Sequence, residues 1–486
     1  MPLNNRYHYR SKNNQYTELF VEVNRVAVQE TIGDYQKGTP PGDRKWDYTI
    51  KDKNISIFDK RDSLLNEKEI RDDISFRNIK ELPIFQGSEN TYMIVGDEFF
   101  LGYQDENQLS EFIAKYNLED LLKNNVEKVL YDGEGRTKFK LLSLSRNEEI
   151  DFFQLVEETK NDDWISSLEP NFTIIGKGDD KISKTTGNIV QSNLDLIDAY
   201  KAWKHTTGNE NIIIAILDIG VSSSHESLNG KIVPGWNTFN DNYNTQPGIS
   251  GSHGTACAGI IAGSHNVGKI KGIAPDCKIM PFKVAETSNS NPSNWVFTTE
   301  SLKNGIIRAY EKQASILNLS FWHPKHDAVS AAIDDATIFG RPFTGGLSNG
   351  CLVVGAAGNA GKRSVDYPAN LKAVMAVSAT DAKGTFKVTP DWGSNYGPEI
   401  EISAPGELNY SCGSQNDSDY ILFEGTSSSA AIVSGVAALV LSLREDLSLK
   451  ELKGVLLQSP KLIILDDKTG SGLINAERAV NSIISA

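Results

Sequence analysis

Residues 425–431, with the sequence GTSSSAA, lead directly into the apolar run IVSGVAALVL at residues 432–441. The run predicts a buried helix, because its many small residues allow neighbouring segments to pack closely. The hydroxyl of Ser427, in the first turn, would lie among free backbone N–H groups at the positive end of the helix dipole, where a developing negative charge is stabilised. This position suits a nucleophile, although the same residues also suit a simple Ser/Thr cap on a core helix.

Apolar strand-like runs alternate with helical patterns from residue 189 onward. The runs are continuous in hydrophobicity rather than alternating, and they lie at residues 212–217, 279–284, 316–319, 352–357 and 374–377. Continuous apolar strands are buried on both faces, which is typical of a parallel sheet covered by helices. We therefore predict an α/β domain over residues 189–486, with a mostly parallel buried sheet and helices on both faces.

The rest of the chain divides into three predicted segments. Residues 1–85 are a β-rich N-terminal extension to which no chemistry can be assigned. Residues 86–176 have the element order β-α-β-α-β, which fits a small α+β domain of ferredoxin-like type. Residues 177–188 are charged, contain glycine and are poor in apolar residues, so we expect an exposed linker there.

Composition limits the expected partners and location. The 486 residues carry a formal net charge of −14, which argues against nucleic acid as a partner, since phosphate binding needs a basic surface. The start of the chain lacks the apolar segment of a secretory signal, and no apolar run of about 18 residues is evident, so we expect no membrane span and a cytoplasmic location. The cysteines, which are Cys257, Cys277, Cys351 and Cys412, are far apart and form no zinc or disulfide pattern.

Polar residues stand where the predicted strands meet their helices. Asp218 ends the first strand, and α/β proteins gather their chemistry at the carboxyl ends of strands. His253 begins the segment HGTACAGIIAG, where the helix dipole disfavours an imidazolium, so we expect a neutral ring that can accept a proton. Asn359 follows the strand at 352–357, and its amide could donate to an oxyanion. Each residue also has an ordinary structural role open to it, as a turn residue or as a buried histidine.

These segments together resemble the motifs of the subtilisin-like serine proteases: D-x-G at Asp218, H-G-T-x-x-A-G at His253, A-A-G-N ending in Asn359, and G-T-S at Ser427. The resemblance extends over residues 189–484. It implies a serine endopeptidase acting on protein or peptide substrates through an acyl-enzyme. In such an enzyme Ser427 attacks the scissile carbonyl, His253 takes the serine proton, Asp218 orients the imidazole, and Asn359 holds the oxyanion.

The region before the predicted linker also resembles part of this family. Residues 88–175, with the sequence SLEPNF at 167–172, are similar to the propeptide of such proteases. The resemblance implies that this region assists folding and inhibits the enzyme, so we expect a latent precursor whose partner is its own N-terminal domain. Residues 1–85 exceed a minimal propeptide.

The residues that the resemblance assigns to substrate binding depart from the family pattern. The strand that pairs with substrate usually reads S-x-G, whereas here it is Ser320, Phe321 and Trp322. Trp322 either narrows the cleft or turns outward onto the following loop. Gly358 is assigned to the same substrate-binding set. Asp366 borders the first specificity pocket, and a carboxylate there favours Lys or Arg before the scissile bond, so the linker lysines would suit self-cleavage.

A calcium site that is common in the family depends on an Asp where this chain has Ser227. Ca²⁺ prefers several hard oxygen ligands that include carboxylates. Ser264 and Asn266, in the loop after the histidine helix, could add only neutral ligands. We therefore predict a weak or absent calcium site, and we expect no other metal and no cofactor.

Two other functions stay open at this stage. A subtilisin-like fold could bind peptides or regulate a partner without turnover, although a binder has no need to keep Asp218, His253, Asn359 and Ser427 together. Transpeptidation, in which an amine replaces water during deacylation, is compatible with the same residues.

Overall fold

The structure is a computed structural model that describes residues 7–11, 15–19, 25–30, 48–50, 55–59, 79–86, 91–121, 129–131, 136–147, 149–177, 180–185, 189–248, 251–287, 294–341, 348–461 and 465–485. Its contacts divide the chain into two compact units. The first unit contains Met1–Lys177, Thr287–Glu300 and His326–Ala331. The second contains Gly178–Glu286, Ser301–Lys325 and Ala332–Ala486.

The strands of the described residues are numbered along the chain. They are β1 Tyr7–Ser11, β2 Gln15–Leu19, β3 Arg25–Glu30, β4 Tyr48–Ile50, β5 Ile55–Asp59, β6 Ile79–Leu82, β7 Ile84–Gln86, β8 Tyr92–Ile94, β9 Glu98–Tyr103, β10 Glu119–Asp120, β11 Val129–Tyr131, β12 Arg136–Ser143, β13 Ile165–Pro170, β14 Thr173–Lys177, β15 Lys181–Lys184, β16 Ile213–Asp218, β17 Trp236–Asn237, β18 Lys278–Lys283, β19 Ala285–Thr287, β20 Asn294–Thr298, β21 Ile316–Leu319, β22 Leu352–Ala356, β23 Val374–Thr380, β24 Ile400–Pro405, β25 Asn409–Cys412 and β26 Tyr420–Glu424.

The helices are numbered in the same way. They are α1 Glu106–Lys115, α2 Phe152–Glu158, α3 Ser192–Leu196, α4 Ala199–Ala202, α5 His253–Ala262, α6 Thr299–Glu311, α7 Asp327–Phe339, α8 Thr426–Leu443, α9 Leu449–Gln458 and α10 Ala476–Ile484, and a short 3-10 turn spans Glu226–Leu228.

The second unit is built on a seven-stranded sheet in the order β17-β18-β16-β21-β22-β23-β24. Every neighbouring pair in it is parallel, which confirms the predicted parallel sheet. All five predicted apolar runs form strands of this sheet, namely β16, β18, β21, β22 and β23. The earliest strand, β16, is central, and the chain adds later strands on both of its sides. Ligands and chemistry gather at the carboxyl end of such a switch point, which here is the position of Asp218.

Helices cover both faces of the sheet, as predicted. Ile214 and Ile216 of β16 belong to a core that includes the apolar residues of α5 and α8. Leu217 points to the opposite face, because successive side chains of a strand alternate. On that face α6 comes close at Gly305, where a Cβ would lie 2.6 Å from Val284 Cγ1 and 3.3 Å from Leu217 Cδ2.

Helix α8 corrects the expectation that the chain has no apolar run of about 18 residues. Among the described helices it is the one long and apolar enough to cross a membrane by length and composition, with a mean hydropathy of 1.7 over 18 residues. However, 89% of this stretch is buried inside the fold. A core helix has the same composition, because every side of it contacts apolar neighbours.

The first unit contains an antiparallel sheet in the order β10-β12-β9-β13-β1-β2, and β11 pairs with β12. The elements from β9 to β13 include α1 and α2, as the sequence predicts for helices near these positions. After α2 the chain forms two strands, β13 and β14, where the predicted element order has one. Strand β13 escapes prediction because Glu169 and Pro170 at its end are unfavourable in strands.

Strand pairing in the structure crosses the predicted limit at residue 85 and places a strand within the predicted linker. Strand β1 pairs with β13 at Arg10 and Leu168, so residues assigned to the N-terminal extension share a sheet with residues assigned to the following domain. The expected linker at residues 177–188 contains β15, which pairs with β26 in a three-stranded sheet of the second unit. Residues 178–179 and 186–188 of that segment lie outside the described residues.

Candidate active site

Asp218 ends the central strand β16 and is buried. Its Oδ1 atom accepts a hydrogen bond of 2.8 Å from the backbone N–H of Ile219, which fixes the carboxylate. The second residue of α5, Gly254, passes so close that a Cβ there would lie 2.9 Å from Asp218 Cβ. A glycine at this position therefore allows α5 to begin directly against the carboxylate.

His253 is the first residue of α5, so its ring lies beside Asp218. The Nδ1 atom of the ring is 2.7 Å from Asp218 Oδ2, and Nε2 is 2.9 Å from Asp180 Oδ2. The edge of the ring packs against Phe423 at 5.2 Å between centroids. Two carboxylates therefore hold the imidazole from opposite sides.

Ser427 lies in the first turn of α8 and is buried. Its hydroxyl donates a hydrogen bond of 2.6 Å to Asp180 Oδ2, the oxygen that His253 Nε2 also contacts. Ser427 and His253 are thus linked through one carboxylate oxygen. Gly425, the residue before the helix, has φ 144°, and a Cβ there would collide with the Asp180 carboxylate.

Asn359 follows β22 and faces the same carboxylate. Its Nδ2 atom donates to Asp180 Oδ1 at 3.0 Å. Its Oδ1 atom accepts from the backbone N–H of Thr426 at 2.8 Å and from the Thr426 hydroxyl at 2.9 Å. These two donors determine the orientation of the amide, so that its NH₂ group is directed at the site.

The structure therefore brings together the four residues that the resemblance assigned to catalysis. It also adds one that sequence reasoning missed, which is Asp180. The side chain of Asp180 is only 7% exposed. In the sequence it is one of two adjacent acidic residues in a charged, Gly-containing segment, and no motif distinguishes it from an ordinary solvated linker residue.

The charge expected on His253 needs a correction. The helix dipole led us to expect a neutral ring. Burial alone lowers the pKa of His253, but the negative charges and hydrogen bonds of Asp218 and Asp180 outweigh burial and raise the pKa to about 10. The two carboxylates raise the pKa of His253 by more than the partial positive charge at the helix N-terminus lowers it. The ring is therefore an imidazolium near neutral pH.

Cys257 lies one turn after His253 in α5 and is fully buried. A carboxylate oxygen of Asp218, a ring nitrogen of His253 and the Cys257 Sγ atom lie within 4.8 Å of one another. Burial, with the negative charges of Asp218 and Asp180, raises the pKa of the thiol well above its ordinary value. A protonated thiol is a poor metal ligand and a poor nucleophile, so Cys257 acts as a small apolar residue here.

Of the residues assigned to substrate binding, Ser320 contacts the proposed nucleophile directly. The backbone oxygen of Ser320 lies 3.4 Å from Ser427 Oγ. Phe321 and Trp322 are half-buried. Gly358 has φ 103°, and a Cβ there would collide with the Asp366 carboxylate, so this carboxylate lies against the backbone next to Asn359.

Ser227, the residue on which the calcium prediction depends, contacts one hydroxyl group and one backbone carbonyl through its side chain. Ser227 Oγ lies 2.9 Å from the hydroxyl oxygen of Tyr420, which in turn donates to Glu226 at 2.7 Å. Ser264 Oγ, a second candidate ligand, accepts the backbone N–H of Asn266 at 3.2 Å. Ser227, Tyr420 and Ser264 offer only neutral oxygens, and the Glu226 carboxylate already accepts a hydrogen bond from Tyr420, whereas Ca²⁺ prefers several charged oxygens. The weak or absent calcium site stays a prediction.

Comparisons with known proteins show which family and which fold the chain is similar to. The model of the subtilase family (Peptidase S8) matches residues 209–476. Thermitase from Thermoactinomyces vulgaris is 35% identical over 51% of this chain and 80% of its own length. Subtilisin DY from Bacillus licheniformis is 30% identical over 59% of this chain and 97% of its own length.

Solved structures extend the similarity of fold. Fervidolysin from Fervidobacterium pennivorans, described as a keratinolytic enzyme related to subtilisin, superposes with a TM-score of 0.58 at 19% identity. The match covers 82% of this chain and 62% of fervidolysin. At this level of identity the likeness concerns the fold alone.

Proposed function

The chain belongs to the subtilase family of serine proteases, and we propose that it cuts internal peptide bonds with Ser427 as the nucleophile. His253 acts as the base, and Asp218 orients its ring. Asn359 donates to the oxyanion. The observation that best supports these roles is that His253 Nδ1 lies 2.7 Å from Asp218 while its Nε2 atom and Ser427 Oγ converge on one oxygen atom.

The reaction follows from this convergence. The Ser427 oxygen attacks the carbonyl carbon of the scissile bond, and the serine proton moves to Nε2 of His253. The carbonyl oxygen becomes negative and is held by the Asn359 amide and the Ser427 backbone N–H. His253 then returns the proton to the leaving amine, which leaves an acyl-enzyme. Water, activated by the same imidazole, releases the acid product.

The proposed chemistry needs a neutral His253, because an imidazolium cannot accept the serine proton. In the structure the ring is held protonated by Asp218 and Asp180, which outweigh the opposing effect of burial. Removal of the Asp180 carboxylate is therefore a precondition of turnover. The chain as described is a latent form of the proposed enzyme.

The propeptide-like region, which is proposed to support this latency, contacts the first turns of two helices. Within the first unit, Glu169 Oε2 accepts the backbone N–H of Asp327 at 2.7 Å, at the start of α7. Asn171 Oδ1 accepts the N–H of Glu300 at 3.0 Å, in the first turn of α6. Side-chain oxygens stabilise the free N–H groups and positive dipole ends of helices, so the propeptide-like segment binds where these two helices begin.

We also propose a preference for Lys or Arg at the residue before the scissile bond. The support is the position of the Asp366 carboxylate against Gly358, beside the proposed oxyanion donor. A carboxylate in a partly enclosed pocket attracts a cationic side chain and disfavours an apolar one. The variant Asp366→Asn keeps the shape and removes the charge.

The experiment that tests the proposed function uses the full-length chain. Wild type and Ser427→Ala are incubated for hours with a fluorophosphonate probe, and new N-termini are read by mass spectrometry. Labelling and cleavage of wild type, with neither in Ser427→Ala, are the expected results. If neither wild type nor a folded Asp180→Ala chain reacts, the enzyme is refuted and a peptide-binding protein is favoured.

Cleavage of a peptide library tests the specificity. Wild type should favour Lys or Arg before the cut, and Asp366→Asn should lose this preference while still cutting. Equal cleavage after apolar and basic residues by wild type would remove Asp366 from the proposal and leave the nucleophile intact.

A further inference from the structure

One carboxylate contacts the proposed nucleophile, the proposed base and the Asn359 amide. Asp180 Oδ2 accepts from Ser427 Oγ at 2.6 Å and lies 2.9 Å from His253 Nε2. Asp180 Oδ1 accepts from Asn359 Nδ2 at 3.0 Å. One carboxylate oxygen thus occupies the space between nucleophile and base, and the other occupies the place proposed for the oxyanion.

The residues after Asp180 are held in a fixed register. Strand β15 pairs antiparallel with β26, with Lys181 opposite Glu424 and Lys184 opposite Ile421. Strand β26 ends at Glu424, and α8 with Ser427 follows after Gly425. The strand pairing therefore aligns the segment with the strand that leads to the nucleophile.

We propose that residues 180–184 are a built-in inhibitor that binds the catalytic centre through a side-chain carboxylate instead of a peptide bond. The proposal rests on the proposed function, because it takes Ser427, His253 and Asn359 as the reacting groups. The recognised ligand is an extended peptide segment that carries an internal aspartate.

Chemistry explains why such a ligand would block the site without being consumed. A carboxylate carbon resists nucleophilic attack, because its charge is delocalised over both oxygens and attack would have to expel an oxide or hydroxide. The amide of a substrate, in contrast, offers a neutral carbonyl and an amine leaving group. The Asp180 carboxylate also pairs with the imidazolium of His253, so docking retains the proton that general-base catalysis has to remove.

Gly425 and Asn359 provide the space and the hydrogen-bond donor that the Asp180 carboxylate needs. A Cβ at Gly425 would collide with Asp180 Oδ1, so a glycine is needed there for the carboxylate to dock. The contact with Asn359 is selective for an acceptor, because the Asn359 oxygen is already occupied by Thr426. An amide in place of the carboxylate would keep the shape and lose the ionic contacts.

The test measures how fast a fluorophosphonate labels Ser427 in full-length chains at neutral pH. Asp180→Ala should label at least about 100-fold faster than wild type, since three hydrogen bonds to a charged group are lost. Asp180→Asn should lie between them. The control Asp391→Asn removes an exposed carboxylate 3.1 Å from Lys181 Nζ and should change the rate at most a few-fold.

Each outcome separates the inference from the function. Equal labelling of wild type and Asp180→Ala would overturn the built-in inhibitor while the nucleophile stands. No labelling of folded Asp180→Ala would refute the proposed function, and the inference with it. Thermal unfolding of each variant verifies that it is folded.

A second measurement does not depend on the folding of a variant of the segment. A synthetic peptide of residues 176–185 is added to the Asp180→Ala chain, and the labelling rate is followed. Slower labelling with the natural peptide, and at least about tenfold weaker inhibition by the peptide carrying Asp180→Asn, is expected. Equal inhibition by the two peptides would show that the carboxylate is not the recognised group.

Discussion

Replacement of Asp180 by asparagine should change the proton affinity of His253 in a way that can be measured without any catalysis. In the described structure burial lowers the pKa of this ring, while Asp218 and Asp180 together raise it to about 10. Asp180 supplies one of the two ionic hydrogen bonds, at 2.9 Å from Nε2. A hydrogen bond to a charged group contributes about 1.5–3 kcal/mol, which corresponds to about a 10- to 100-fold increase in the proton dissociation constant when it is lost.

Nuclear magnetic resonance provides the assay. The ring C–H signals of His253 are followed against pH in a Ser427→Ala background, which prevents self-cleavage, and they are assigned by their absence in His253→Gln. Asp218→Asn should weaken proton binding as well, because it removes the other carboxylate, whereas Asp391→Asn should have no effect. If Asp180→Asn leaves the dissociation constant within about threefold of its starting value, the carboxylate does not contact His253 in solution, and the account of the site is refuted.

Further predictions concern the reaction and the stability of the chain. Because the Asp180 carboxylate binds the protonated ring of His253, whose pKa Asp218 and Asp180 together raise to about 10, docking is strongest at low pH and weakens as pH rises towards that value; fluorophosphonate labelling of wild type should therefore speed up as pH rises towards about 10, and an unchanged rate would contradict it. Asn359→Ala should lower kcat by about 10²–10³ with little effect on folding, as known for the same contact in subtilisin; loss of substrate binding alone would argue for a different role. Ser427→Ala should lower turnover by about 10⁶, the loss known for the subtilisin nucleophile, and retention of a few per cent of the activity would exclude it. Tyr420→Phe should lower the free energy of unfolding by about 1–3 kcal/mol, because the buried Ser227 hydroxyl loses a hydrogen-bond partner at 2.9 Å, whereas EDTA should not change the melting temperature of wild type; a drop with EDTA would show that a metal stabilises the chain.

The α/β domain could be predicted because its signals are local. Each buried strand, such as β16 or β22, is a continuous apolar run, so it can be predicted from its own residues without knowing which strands pair with it. The many small residues of α5 and α8 likewise predict that these helices pack closely against their neighbours. Strand β13 could not be found in this way, because Glu169 and Pro170 disfavour a strand and only its pairing with β9 and β1 stabilises it.

The charge state of His253 shows the limit of reasoning from one element. The position of the residue at the start of α5 correctly suggests a dipole that favours a neutral ring. The carboxylates of Asp218 and Asp180, which lie 35 and 73 residues earlier in the chain, together reverse that expectation. The pKa of His253 depends on charges from several segments of the chain, and a pattern within one segment cannot predict it.

The amino-acid sequence alone determined the family, the parallel sheet and the set of Asp218, His253, Asn359 and Ser427, because each of these depends on residue types at short spacing. Only the tertiary structure decided that Asp180 docks among them. The reason is physical: an acidic residue in a polar segment has no preferred environment of its own, and its place is set by the pairing of β15 with β26 and by three donors from remote parts of the chain.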